Sequence, residues 1–145
     1  MTRYTRHVGS DGDTIELAHA VRRPVFVDEQ GVDEALEMDG RDQAATHIVL
    51  THDTEPVATA RLRFPEASTV KIERVAVLPE YRGDGLGGRV MDAAETVAVD
   101  RGVTDAVLHA QAPVRGFYEQ LGYEAEGDTF EEAGIPHVAM CKSLH

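Results

Sequence analysis

The feature that most constrains the fold is the stretch TVKIERVAVLPEYRGDGLGGRVMDAAETVAVDRGVTDAVLHA, residues 69–110. Its β-branched opening predicts a strand over 69–78, which Pro79 ends because proline cannot donate to a strand ladder. After the glycines, Leu86, Val90, Ala94, Val97 and Ala98 recur at helical spacing. Arg89, Asp92, Glu95 and Asp100 lie largely elsewhere, and Gly102 supplies a stop. Residues 104–110 predict a further strand, and Val114–Leu121 a short helix entered through Pro113 and left through Gly122.

Around this β-α-β-α unit the chain reads mostly as strands. Residues 2–8 form a first candidate. A helix follows over 14–30, capped by Asp13, with Ile15, Ala18, Val21, Val25 and Phe26 on one face and Pro24 dividing it. Residues 46–52 and 57–64 alternate as strands, joined by a hairpin at Asp53-Thr54-Glu55-Pro56. Extended structure resumes at Tyr123, and 137–144 is a last strand. The sum predicts one domain over 1–145, an α/β or α+β sandwich on a mixed sheet, with no repeat or linker.

Composition narrows the function classes. The formal charge is −12 and no basic stripe offsets it, so nucleic acid is excluded as a partner. Lys71 and Lys142 are the only lysines among 14 basic residues, against 26 acids, a pattern like that of proteins from high-salt cytoplasms. No apolar run suits a signal peptide or a membrane span, which points to the cytoplasm. Cys141, the sole cysteine, reads as a packed strand thiol. His47 and His52, five apart on one strand, face opposite ways, and nothing argues for a metal. Exposed sheet edges allow a homodimer.

The glycines of RGDGLGG (82–88) must then be explained. A triphosphate loop would need a Lys followed by Ser or Thr after them, and neither is present. Gly83, Gly85 and Gly88 satisfy GxGxxG, with Asp105 downstream for a ribose, so a nucleotide-linked oxidoreductase is one reading. Context opposes it: Pro79-Glu80-Tyr81-Arg82 separate strand from glycines, and Asp105 starts the next strand instead of ending it. On chemistry alone, glycines at the mouth of a helix let backbone N–H groups crowd an anion, and the helix dipole favours it.

Arg82, Gly85 and Gly87 after V-A-V-x-P resemble the acetyl-CoA signature R-x-x-G-x-G of the GNAT superfamily of N-acetyltransferases. A second stretch, LHAQAPVRGFYEQLGYE, resembles the family's later strand and helix: Gln111 stands where an Asn is usual, Tyr118 lies seven residues on, and Gly122-Tyr123 close it. Residues 21–50 and 134–140 resemble the ElaA-like branch. The resemblance covers nearly the whole chain.

The resemblance implies a mixed, mostly antiparallel sheet flanked by helices, with two central parallel strands, 69–78 and 104–110, splaying apart to admit acetyl-CoA. Val75, Ala76 and Val77 would contact the pantetheine and thioester. Arg82, Gly83, Asp84, Gly85, Leu86, Gly87 and Gly88 would hold the pyrophosphate, and Gln111 would also bind the cofactor. An N–H near Val77 would polarise the thioester carbonyl. Tyr118 would protonate or hydrogen-bond the departing thiolate. Glu73 and His109 are catalytic candidates for deprotonating the acceptor, and Glu29 and His137 are candidates for binding a small-molecule or peptide amine. A non-catalytic acyl-CoA-sensing module is the alternative.

Overall fold

The computed structural model describes residues 4–144. Seven strands form one sheet: β1 (Tyr4–Gly9), β2 (Thr46–His52), β3 (Glu55–Glu66), β4 (Thr69–Val77), β5 (Asp105–Gln111), β6 (Glu124–Glu132) and β7 (Ile135–Ser143). The order is β1-β2-β3-β4-β5-β7-β6, and every neighbouring pair is antiparallel except β4 and β5. Parallel neighbours need a crossover. It is provided by α3 (Leu86–Asp100), which buries Leu86, Val90, Met91, Ala93, Ala94 and Ala98, and ends before Gly102 at φ +82°.

Helices cover both faces of the sheet's centre, which is why β2 and β3 are buried along both sides. On one face lies α3, whose following residue Arg101 donates to the Thr46 hydroxyl at 2.9 Å and stacks over Phe64. On the other lies α1 (Gly12–Arg22), whose Arg22 meets Asp42 beside the β3 residue Arg61. Two short helices, α2 (Glu34–Glu37) and α4 (Arg115–Gln120), complete the set. Among the described residues no helix is long and apolar enough to cross a membrane.

The expected elements are present, with local corrections. The strand expected over 2–8 runs from Tyr4 to Gly9, and residues 2 and 3 lie outside the described residues. Asp11, not Asp13, caps α1: its carboxylate accepts from the Thr14 backbone N–H at 3.2 Å and the Thr14 hydroxyl at 2.8 Å. Pro24 does divide the 14–30 segment, whose second half, Arg23–Glu29, is wound as a π-helix. The hairpin turn tightens to Asp53 and Thr54, because Glu55 and Pro56 already pair with His52 and Thr51. Asp53 takes φ +58°, a left-handed conformation aspartate tolerates better than most residues.

Candidate functional site

The cleft is built by a fault in β4. Thr59 pairs with Ala76 and Arg61 with Glu73, so Ala60 alone opposes Arg74 and Val75, which makes a β-bulge. Arg74 there takes φ +53°, a costly conformation for a side chain branching from an L-residue. The parallel ladder with β5 runs from Thr69↔Asp105 to Ile72↔Leu108 and stops just before the bulge. Beyond it β4 keeps pairing with β3 while β5 keeps pairing with β7, so the two arms part. Between them opens a cleft of about 870 Å³.

Side-chain charges hold the bulge. Arg74 reaches the carbonyls of Leu36 and Glu37 at 3.2 and 3.3 Å. Its Nε lies 2.7 Å from Glu37 Oε2, an ion pair without hydrogen-bond alignment. Glu37 in turn pairs with the buried Arg22 at 2.7 Å, and Arg22 with Asp42 at 2.7 Å. Arg61, fully buried, is bonded to Asp39 at 2.8 Å and to Asp42 and Glu73 at 3.1 Å each. Arg63 also meets Glu73. Arg22, Arg61, Arg63 and Arg74 thus meet Glu37, Asp39, Asp42 and Glu73, with His19 also on Asp42 and Arg41 at the edge of Asp39.

Glu73 therefore lines the cleft as a committed anion. Burial would raise its pKa, but Arg63 and Arg61 together bring it below the usual carboxylate range. A carboxylate so held is a poor proton acceptor, which weighs against Glu73 as the catalytic base.

At the cleft mouth α3 begins without a side-chain cap. Gly85 stands at the cap with φ +79°, and the first backbone bond closing the helix is Arg89 N–H to the Gly85 carbonyl at 3.2 Å. The N–H groups of Leu86, Gly87 and Gly88 precede that bond, so the helix itself supplies them no acceptor. Gly87 has a steric reason as well: a Cβ there would lie 3.0 Å from the Phe117 ring.

Arg82 sits beside this mouth with its fork already filled. Its two terminal nitrogens donate to the Glu29 carboxylate at 2.7 Å each, and Nε donates to the Val77 carbonyl at 3.0 Å. The hydrogen bonds from Arg82 lower the Glu29 pKa. The next residue, Gln30, accepts from the Gln111 amide at 2.8 Å. The end of the π-helical segment thus spans the gap, tied through Glu29 to the β4 arm and through Gln30 to the β5 arm.

On the far wall Tyr118 is 8% exposed and packs edge-on against Phe117 and Tyr123, with ring centroids 4.9 and 6.1 Å away. Burial pushes its phenol up to about 12. Its hydroxyl has no hydrogen-bond partner among the described residues. His109 and His137 flank Phe130, with centroids 5.0 and 6.2 Å from it. His109 Nδ1 lies 2.8 Å from Glu132 Oε1, and His137 Nε2 lies 3.8 Å from Glu132 Oε2.

Of the residues singled out from sequence, all line this one cleft except Asp84. Asp84 thus departs from the expectation: the chain turns through it between two positive-φ glycines, Gly83 and Gly85, which leaves it off the wall. Glu132, Gln30 and Phe117 were not foreseen. Cys141 lies on β7, half-buried, and its thiol donates to Glu126 Oε1 at 2.8 Å, which raises its pKa to about 11.

Residues 16–144 match the family model described as an acetyltransferase (GNAT) domain. The uncharacterised Bacillus subtilis protein YyaT is 38% identical over 142 residues, 96% of this chain and 95% of that one. A Lactobacillus plantarum structure, solved as a candidate N-acetyltransferase, is 30% identical and superposes with a TM-score of 0.90 over 98% of this chain and 99% of that one. Escherichia coli ElaA is 27% identical, with a TM-score of 0.82 over the same shares.

Proposed function

The chain belongs to the GNAT acetyltransferase family, and on that premise we propose that it is a single-domain cytoplasmic enzyme transferring acetyl from acetyl-CoA to a primary amine by direct attack in a ternary complex. One observation carries the reading: β4 and β5 part at a bulge that opens onto the same cleft as an uncapped helix mouth. A pantetheine arm needs the first and a pyrophosphate the second. Three N–H groups without a partner among the described residues and a partial positive helix charge suit a bound phosphate, and Gly87 lets the Phe117 ring pack against that mouth without a clash.

Bound acetyl-CoA supplies an acetyl thioester, an electrophile whose thiolate can leave. The N–H groups of Leu86, Gly87 and Gly88 would hold its pyrophosphate with Arg82. Val75, Ala76 and Val77 lie on the β4 arm past the ladder's end, where β5 no longer pairs with them and the pantetheine would run alongside; the Val77 carbonyl already accepts from Arg82 Nε. Tyr118 would donate a hydrogen bond to the sulfur. Tyr118 lines the cleft and its hydroxyl is committed to no acceptor among the described residues, so it can turn to a bound thioester, which favours catalysis over a sensing module.

Thermal-shift measurements test the donor. CoA and acetyl-CoA are expected to raise Tm, whereas stabilisation by NAD(P) and none by CoA would reverse the reading. A panel of primary amines followed by CoA thiol release in high-salt buffer then identifies the acceptor.

Arg82 adds a sharper expectation. Because Glu29 occupies its fork, the pyrophosphate must displace a carboxylate to reach it. The pair is about two-fifths exposed, so breaking it costs roughly 1 kcal/mol at most. Glu29→Gln should therefore tighten CoA binding by about two- to fivefold in calorimetric titration. Weaker binding would mean that Glu29, and not Arg82, serves the donor.

A further inference from the structure

We propose that His109 is the base that removes a proton from the acceptor ammonium, and that Glu132, on the neighbouring β6–β7 hairpin, positions it for the task. The proposal rests on the acetyltransferase reading and deepens it by assigning the proton acceptor.

The hydrogen bonds determine the ring's chemistry. A carboxylate only accepts, so the 2.8 Å contact requires that His109 Nδ1 carry a hydrogen and donate it to Glu132. In the neutral ring the remaining nitrogen, Nε2, then bears the free lone pair. Nε2 has no hydrogen-bond partner among the described residues, and the side chain is one-third exposed on the cleft wall. Glu132 also stabilises the imidazolium that forms when Nε2 takes a proton, as a carboxylate does beside any catalytic histidine.

His137 cannot serve in the same way. Its Nδ1 donates to the Ile135 carbonyl at 2.7 Å, and its Nε2 stands 3.8 Å from the second oxygen of Glu132 in a residue only 7% exposed. In the neutral ring that Nε2 turns a lone pair toward the carboxylate from beyond hydrogen-bond distance, and Phe130 packs against both imidazoles. Of the other carboxylates near this face, Glu73 is held by two arginines, Glu126 accepts from the Cys141 thiol and Glu29 is held by Arg82, while Glu124, in register with Cys141, has no partner among the described residues. Lys71 of β4 lines the cleft and is the cation there without a carboxylate partner among the described residues. It repels the ammonium and imidazolium forms alike.

The step balances. The ammonium gives one proton to Nε2, and its freed electron pair attacks the thioester carbonyl carbon. The C–N bond forms as the C–S bond breaks, the electron pair of the latter leaving on sulfur. The nitrogen's second proton neutralises the thiolate, and the proton on His109 passes to solvent.

Two measurements test this. Long-range 1H–15N spectra of the CoA-saturated protein should show neutral His109 as the Nδ1–H tautomer, and Glu132→Gln should mix the two tautomers. An Nε2–H tautomer in the wild type, or no change in the variant, overturns the positioning role whether or not the enzyme turns over.

With n-butylamine and phenethylamine as probe acceptors, kcat should fall on acidification as His109 becomes protonated. His109→Gln should lower kcat about 100-fold and abolish that limb. Glu132→Gln should lower kcat about tenfold, and Glu132→Asp should restore part of it. CoA-induced thermal shifts should persist in all three variants. If His137→Gln removes the limb and His109→Gln leaves it, the proposal fails. Loss of CoA binding by the wild type would instead defeat the donor reading.

Discussion

Arg61→Met is expected to destabilise the fold by about 3–5 kcal/mol at neutral pH, the usual cost of removing one member of a buried charge cluster. The guanidinium is fully buried and bonded to Asp39, Asp42 and Glu73. Methionine fills similar space but leaves three carboxylates short of positive charge, and two of them, Asp42 and Glu73, are largely shielded from water. The wild-type network is also an acid sensor. Arg61 overcomes the desolvation that would raise Asp39, bringing it down to about 2, and Asp42 and Glu73 are likewise lowered.

Folded values below the unfolded ones mean that the stabilisation is fully present above the ordinary carboxylate range, near pH 4. It is lost as pH falls through the lowered values, toward pH 2 for Asp39. The wild type should therefore lose stability steeply from about pH 4 to 2, whereas the variant, already without the pairing, should lose less. Urea titrations at pH 7, 4 and 3 measure both. A loss under about 1 kcal/mol, with parallel pH curves, would show the cluster to be of little energetic account.

That cluster marks the limit of what the sequence made legible. Strands, α3 and the glycine mouth carry local signals: β-branching, 3.6-residue spacing, and proline or glycine at the ends. They could be read because each is decided within a dozen residues. Arg22, Glu37, Asp42, Arg61, Glu73 and Arg74 come from five separate segments and meet only after the sheet registers form. In the sequence they look like scattered surface charges. The positive φ at Arg74, on which the cleft depends, has no local signature either, since the usual marker of such a position is glycine.

The site divides in the same way. Gly85 and Gly87 stood out, although the reason for Gly87 became visible only with Phe117 at 3.0 Å. Glu132 lies in EGDTFEEAGI, where three of ten residues are glutamates and nothing distinguishes one from another. What singles it out is the β6–β7 register, Phe130↔His137 and Glu132↔Ile135, together with the β5–β7 pairing that lays His109 alongside. A sign was available in hindsight: His109 and Gln111 share a strand face, and any acid on a hairpin packed there was a candidate partner.

Tyr118→Phe is expected to lower kcat by about 10- to 100-fold with little change in CoA affinity. The ring packs against Phe117 and Tyr123, and phenylalanine keeps those contacts, so the variant isolates the hydroxyl. Burial has pushed the phenol up to about 12, whereas an ordinary thiol ionises near 8.5. Complete proton transfer to a thiolate is therefore uphill by about 3.5 pH units, roughly 5 kcal/mol. The same shift keeps the hydroxyl protonated at working pH and able to donate. Its contribution is accordingly a hydrogen bond to charge developing on sulfur, worth about 1.5–3 kcal/mol for an ionised acceptor, which sets the expected loss in rate. The wild type should also show no fall in kcat from phenol ionisation below about pH 10. Steady-state kinetics with saturating acetyl-CoA provide the test, and an unchanged kcat in the phenylalanine variant would remove Tyr118 from the chemistry.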